Sequence, residues 1–67
     1  MNKKLVKNLI EGYIGTGFDN IQVEILDGNF ITLNSKNVAT FDDEFLYIFG
    51  EGYSVKIEHI KIKEIAI

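Results

Sequence analysis

Residues 21–34 read "IQVEILDGNFITLN", and the way this stretch folds back on itself decides the architecture. Ile21, Val23 and Ile25 alternate with Gln22 and Glu24, the period-two pattern of a strand with one buried face. Ile31 and Leu33 alternate with Thr32 and Asn34 in the same way, and Asp27, Gly28 and Asn29 between the two runs are turn formers. A two-residue turn at Asp27-Gly28 would pair Ile25 with Phe30 and throw Ile31 and Leu33 onto the polar face. A three-residue loop, Asp27-Gly28-Asn29, pairs Leu26 with Phe30, Ile25 with Ile31 and Val23 with Leu33, and sets Glu24 opposite Thr32. Only the longer loop keeps both faces consistent, because a slip of one residue inverts a strand. It predicts Ile25 and Ile31 buried and Glu24 and Thr32 exposed.

Downstream, "NSKN" at 34–37 is a turn or sharp bend, and Val38–Phe41 forms a short strand or the far half of a long bent one. Asp42-Asp43-Glu44 turns the chain into "FLYIF" at 45–49, apolar at every position and therefore expected to be covered on both faces. After "GEG" at 50–52, Tyr53, Val55 and Ile57 alternate with Ser54, Lys56 and Glu58. The parity breaks at His59-Ile60, which predicts a bulge or a corner there. Upstream, Leu5, Val6, Leu9 and Ile10 make the apolar stripe of a helix over about 2–12, with Asn2 as N-cap and Gly12 as C-cap. Lys3, Lys4 and Lys7 fall in its first turns, where the helix dipole disfavours them. Gly12, Gly15 and Gly17 lack the Lys-Ser/Thr pair and following helix of a phosphate loop.

Composition narrows the rest. A chain of 67 residues makes a single small domain, 1–67, which is marginal alone. There is no cysteine and a single histidine, so neither a disulfide nor a metal centre is expected, and no cofactor is implied. Eleven isoleucines and four valines favour strands. The net charge of −3 repels phosphate backbones overall, so nucleic acid would need a local basic patch. No apolar run approaches the ~20 residues of a membrane span, and the lysine-led start lacks the form of a signal peptide. The expectation is a cytoplasmic protein without a membrane partner. No nucleophile–base arrangement is present, and Asp42, Asp43 and Glu44 lie together in one turn, so an enzyme is not expected.

The fold class that follows is mainly β: a short N-terminal helix and a five-stranded, antiparallel, strongly bent small barrel. Its strands are expected at about 20–26, 30–34, 38–41/45–49, 53–60 and 62–66. This order resembles the Sm-like family, including bacterial Hfq. "VEILDGNFITL" is similar to the family's strand–Asp-Gly–strand signature, "ATFDDEFLYIF" to its Phe-Asp segment, and "YSVKIEHIKIKEI" to its closing segment. The resemblance implies an SH3-like barrel assembled as a homo-oligomeric ring, closed by the last two strands of neighbours, with single-stranded RNA as ligand. Under that implication Phe45 stacks a base, His59 hydrogen-bonds it, and Lys56, Lys3, Lys4 and Lys7 contact phosphate. Glu58 stands before His59 where the family pattern has lysine, which weakens the basic site. The expected subunit interface is Tyr53, Val55, Ile57, Ile60, Ile62 and Ile65. The alternative is a non-enzymatic interaction or assembly module, of the kind carried by mobile elements or phages, that binds no nucleic acid.

Overall fold

Gly28 fixes the first hairpin. In the computed structural model, which describes residues 1–67, Gly28 has φ of +92°, a region closed to most side chains. The loop's left-handed position is therefore residue 28, and the loop is Leu26-Asp27-Gly28, one residue earlier than Asp27-Gly28-Asn29. Gly28 N–H donates to the Ile25 carbonyl at 3.0 Å and Ile25 N–H to that of Asn29 at 3.0 Å. The Asp27 carboxylate accepts from Asn29 N–H at 2.9 Å. Strands β1 (Ile21–Ile25) and β2 (Phe30–Leu33) consequently pair Ile21 with Leu33, Gln22 with Thr32, Val23 with Ile31 and Glu24 with Phe30. The shift from the expected register is two residues, so every side chain keeps its face. Its cost is at the turn: Ile25 and Ile31 are half-buried rather than buried, and Leu26 is exposed on the loop. Glu24 stays on the outer face but is half-covered, with Lys63 Nζ 3.7 Å from its carboxylate.

Asn34 and Asn37 close the next turn. Asn37 N–H donates to the Asn34 carbonyl at 2.9 Å, and the Asn37 side chain accepts from Asn34 N–H at 2.8 Å. This turn separates β2 from β3 (Val38–Phe41), which pairs with β4 (Phe45–Gly50), which pairs with β5 (Tyr53–Glu58). A single turn of 3₁₀ helix, His59–Lys61, follows at the expected corner and ends the strand foreseen over 53–60 at Glu58. The last strand, β6 (Ile62–Ala66), returns to β1, with a bulge that sets Ile62 opposite Ile25 and Glu64 opposite Glu24. There are thus six strands rather than five, in two antiparallel sheets ordered β2-β1-β6 and β3-β4-β5.

Helix α1 (Lys3–Gly15) runs three residues beyond the expected stop. Gly12 faces open space and sits inside the helix at a modest cost in entropy. The actual stop is Gly17, at φ +84°, with Phe18 N–H donating to the Tyr13 carbonyl at 3.1 Å and Gly17 N–H to that of Ile14 at 3.0 Å. This is the paired-bond termination of a helix, and its usual apolar contact is the edge-on Tyr13–Phe18 ring pair at 5.9 Å. The Asn2 side chain caps the other end by accepting from Leu5 N–H at 2.9 Å.

The core is aliphatic. Val6 and Ile10 of the helix meet Ile21, Val23 and Leu33 of β1 and β2, Leu46 and Ile48 of β4, and Ile57, Ile62 and Ile65 of β5 and β6. Leu5, expected in the stripe, is exposed, and Leu9 and Tyr13 flank the core instead. Only one face of β4 is buried: Leu46 and Ile48 point inward, whereas Phe45, Tyr47 and Phe49 line the outside.

The two glycines give opposite expectations. Gly28→Ala places a Cβ at positive φ and should lower unfolding stability by about 1–2 kcal/mol. Gly12→Ala, in a helix with room for the methyl group, should raise it by about 0.5–1 kcal/mol. Urea titration of both variants against the parent checks the pair.

Candidate binding face and strand edges

The Asp42 turn presents the outer aromatic face. One Asp42 carboxylate oxygen accepts from Glu44 N–H at 2.9 Å and Phe45 N–H at 2.6 Å, and the other accepts from the Tyr47 hydroxyl at 2.9 Å. The Phe45 and Glu44 amides, in that order, hold the Asp42 carboxyl below the usual carboxylate range, with the Tyr47 hydroxyl and His59 adding to the effect. The same bond pushes the Tyr47 phenol up, because ionising it would put two anions together. Beyond the turn the rings of β4 run in line, Phe45 6.1 Å from Tyr47 and Tyr47 stacked 6.3 Å from Phe49. Lys56 on β5 lies over Phe45, its Nζ 4.0 Å from the ring centroid, a cation–π contact.

The expected ligand-contacting residues separate into three places. Phe45 and Lys56 touch on this face. Lys3 is tied to the same turn through Asp43 at 3.2 Å, while Lys4 and Lys7 are exposed along the helix. His59 lies beneath the turn, 2% exposed, with Nε2 2.9 Å from the Asp42 carbonyl and its ring stacked on Phe41. A carbonyl only accepts, so Nε2 carries the proton and the buried Nδ1 has no partner. A ring placed so cannot reach a base without leaving the core. Tyr47 and Phe49 belong to the face but were not foreseen; the Phe-x-Tyr-x-Phe alternation over 45–49 was the available signal.

The expected interface residues separate as well. Tyr53 and Ile60 are exposed and Val55 is half-buried, but Ile57, Ile62 and Ile65 are taken up by the chain's own core. What β5 and β6 leave available is main chain: β5 pairs only with β4, and β6 only with β1. Along β5 runs an open groove of about 420 Å³, lined by Ile25, Ile31, Phe45, Val55 and Ile57, with Lys56, Glu58 and Lys61 as its charged lining. No group of three or more His, Cys, Asp and Glu side chains is placed to hold a metal ion. No helix is long and apolar enough to cross a membrane.

Because the folded-state Asp42 carboxyl titrates below its unfolded value, its contribution to stability is present above about pH 4 and is lost as pH falls through the lower folded value. Asp19, whose carboxyl is lowered by Ser35, acts in the same direction. The urea midpoint should therefore fall on acidification below about pH 4. In Asp42→Asn the fall should be shallower, as read from midpoints across a pH series.

No protein-family model, curated protein or solved structure matches the chain.

Proposed function

We propose that the chain is an Sm-like, SH3-like small barrel that works as a self-assembling, non-enzymatic binding module in the cytoplasm. The observation that carries this reading is that the two longer of the four unpaired strand edges, β5 and β6, lie on either side of the 3₁₀ corner, with an apolar groove along β5. The order of elements supports it too: a helix, a first hairpin, a strand broken by a bend at 34–37, and a closing strand that returns to the first. A domain of this size without a disulfide or metal gains from burying such edges against further copies.

Single-stranded RNA is the ligand that the Phe45–Lys56 pair favours: Lys56, which lies over the Phe45 ring, can turn to a phosphate and uncover the ring for a base. The buried His59 and the net charge of −3 favour the other reading, assembly without nucleic acid. Affinity for RNA on this face is accordingly modest and carried by few phosphate contacts.

Sedimentation equilibrium of nuclease-treated protein at micromolar concentration should give a multiple of 7.6 kDa; a single species at that mass ends the assembly reading. Titration of a fluorescent oligouridine should show binding that weakens with salt. Phe45→Ala should reduce it by about 1–3 kcal/mol, the worth of one stacked base, and Lys56→Ala should flatten the salt dependence. An affinity untouched by both substitutions would remove RNA from this face.

A further inference from the structure

Gly50 is the one glycine whose place is decided by a neighbour. Gly17, Gly28 and Gly52 take positive φ, and Gly12 and Gly15 face open space. Gly50 does neither. Its φ is not positive, so the backbone would accept a side chain, but a methyl group there would overlap the Tyr53 ring at Cε1, Cζ and the hydroxyl. Tyr53 is the cross-strand partner of Gly50, and Val38 pairs with Phe49, so Asn37, Gly50 and Tyr53 follow one another in a row at the ends of β3, β4 and β5. The ring crosses the bare centre of that row, and its hydroxyl accepts from the Asn37 side-chain N–H at 2.9 Å on the far side. Asn37 is a firm anchor, because its Oδ1 accepts from Asn34 N–H at 2.8 Å. Little else holds this end. Residues 51–54 are exposed, Gly52 in the turn has φ of +78°, and the first buried side chain of β5 is Ile57, close to the His59 corner.

We propose that Tyr53 is a strap whose closure sets the length of the β5 edge. Closed, the strap holds β5 on β4 from its first residue, and the edge presents all six residues of Tyr53–Glu58. Open, the glycine-flanked start frays, and the edge shortens toward the part anchored by Ile57. Short edges offer little to another chain, so the strap governs how much main chain is available for pairing. Its parts fit that role. A ring lying across a glycine restores the cross-strand contact that the missing side chain would have made. One exposed hydrogen bond and one exposed ring hold the strap, so it opens at lower cost than the buried His59 junction at the other end of β5. The use of the edge rests on the assembly reading above; the strap itself does not.

Amide hydrogen exchange, read by NMR at the residues of β5 that bond to β4, tests the strap, and sedimentation equilibrium of nuclease-treated protein tests its use. In Gly50→Ala the ring loses its seat and the Asn37 bond with it. Exchange within residues 53–55 should quicken about tenfold, although a Gly→Ala change by itself stiffens the chain and would slow it. Tyr53→Ala should match Gly50→Ala. Tyr53→Phe keeps the ring and loses the bond, and should quicken exchange about threefold. Amides of β1 and β6 should exchange as in the parent, which is the check on folding. Assembly should weaken least in Tyr53→Phe and more in Gly50→Ala and Tyr53→Ala. Exchange in Gly50→Ala that is unchanged or slower would overturn the strap. Faster exchange with parental assembly would overturn its control of the edge. A parent that sediments at 7.6 kDa would overturn the assembly reading and that control together, and exchange would still decide the strap.

Discussion

His59 holds the point at which the chain leaves one sheet for the other. Its N–H donates to the Glu44 carbonyl at 2.9 Å, its ring Nε2 to that of Asp42 at 2.9 Å, and its own carbonyl accepts from the Met1 amino group at 3.1 Å. The turn that begins β4, the corner that ends β5 and the start of the chain thereby meet at one residue. The ring is buried against Phe41 with Nδ1 unpaired, a loss of about 1–3 kcal/mol that the three bonds and the buried ring surface offset. Asp42 is shared between the two halves of this junction. Its carbonyl receives the histidine, and its carboxylate receives the amides that turn the chain toward Phe45. The outer aromatic face and the launch of β6 are consequently one mechanical unit.

Around that junction the core consists of aliphatic side chains, mostly isoleucine and valine, from the helix and from five of the six strands. Each fully buried side chain of this kind contributes about 1.5–3 kcal/mol, against a conformational entropy of comparable total size. Two short sheets leave much apolar surface outside that balance. Leu26, Phe30 and Ile60 are exposed near the turns, and Phe49 and Tyr53 lie at the far end of β4 and β5. Tyr53 is partly committed, with its hydroxyl receiving the Asn37 side-chain N–H at 2.9 Å. The groove beside β5 is the concave part of this unassigned surface.

Much of this was legible in the sequence, and the failures have identifiable causes. The face of each residue in β1 and β2 followed from alternation, because a pattern of period two fixes parity. The register did not follow, because parity is blind to a slip of two, and only the identity of the one residue able to take φ of +92° separates the choices. Gly12 was read as a stop, although glycine ends a helix only where the chain adopts positive φ, and that happens at Gly17. The parity break at His59 was visible as a corner, but a lone histidine among charged neighbours gives no sign that a carbonyl waits for it across the fold. Ile57, Ile62 and Ile65 were apolar for the core and not for a neighbour. Apolar character marks burial without saying by which chain.

That last ambiguity bears on the edges. Once inward-pointing isoleucines are assigned to the core, hydrophobicity no longer distinguishes one edge from another, and what remains is length and charge. β2 and β3 are four residues long, short enough to offer little to a stranger. β5 and β6, at six and five residues, offer longer ladders and carry the charges. A purely protective edge works best with one sign, since like charges repel every copy alike. Mixed signs, as on β5 and β6, repel a copy in alignments that oppose like charges and tolerate it in others. Guarding and pairing are then a single property read in two geometries. It operates on the strands that the His59 junction holds on either side of the corner.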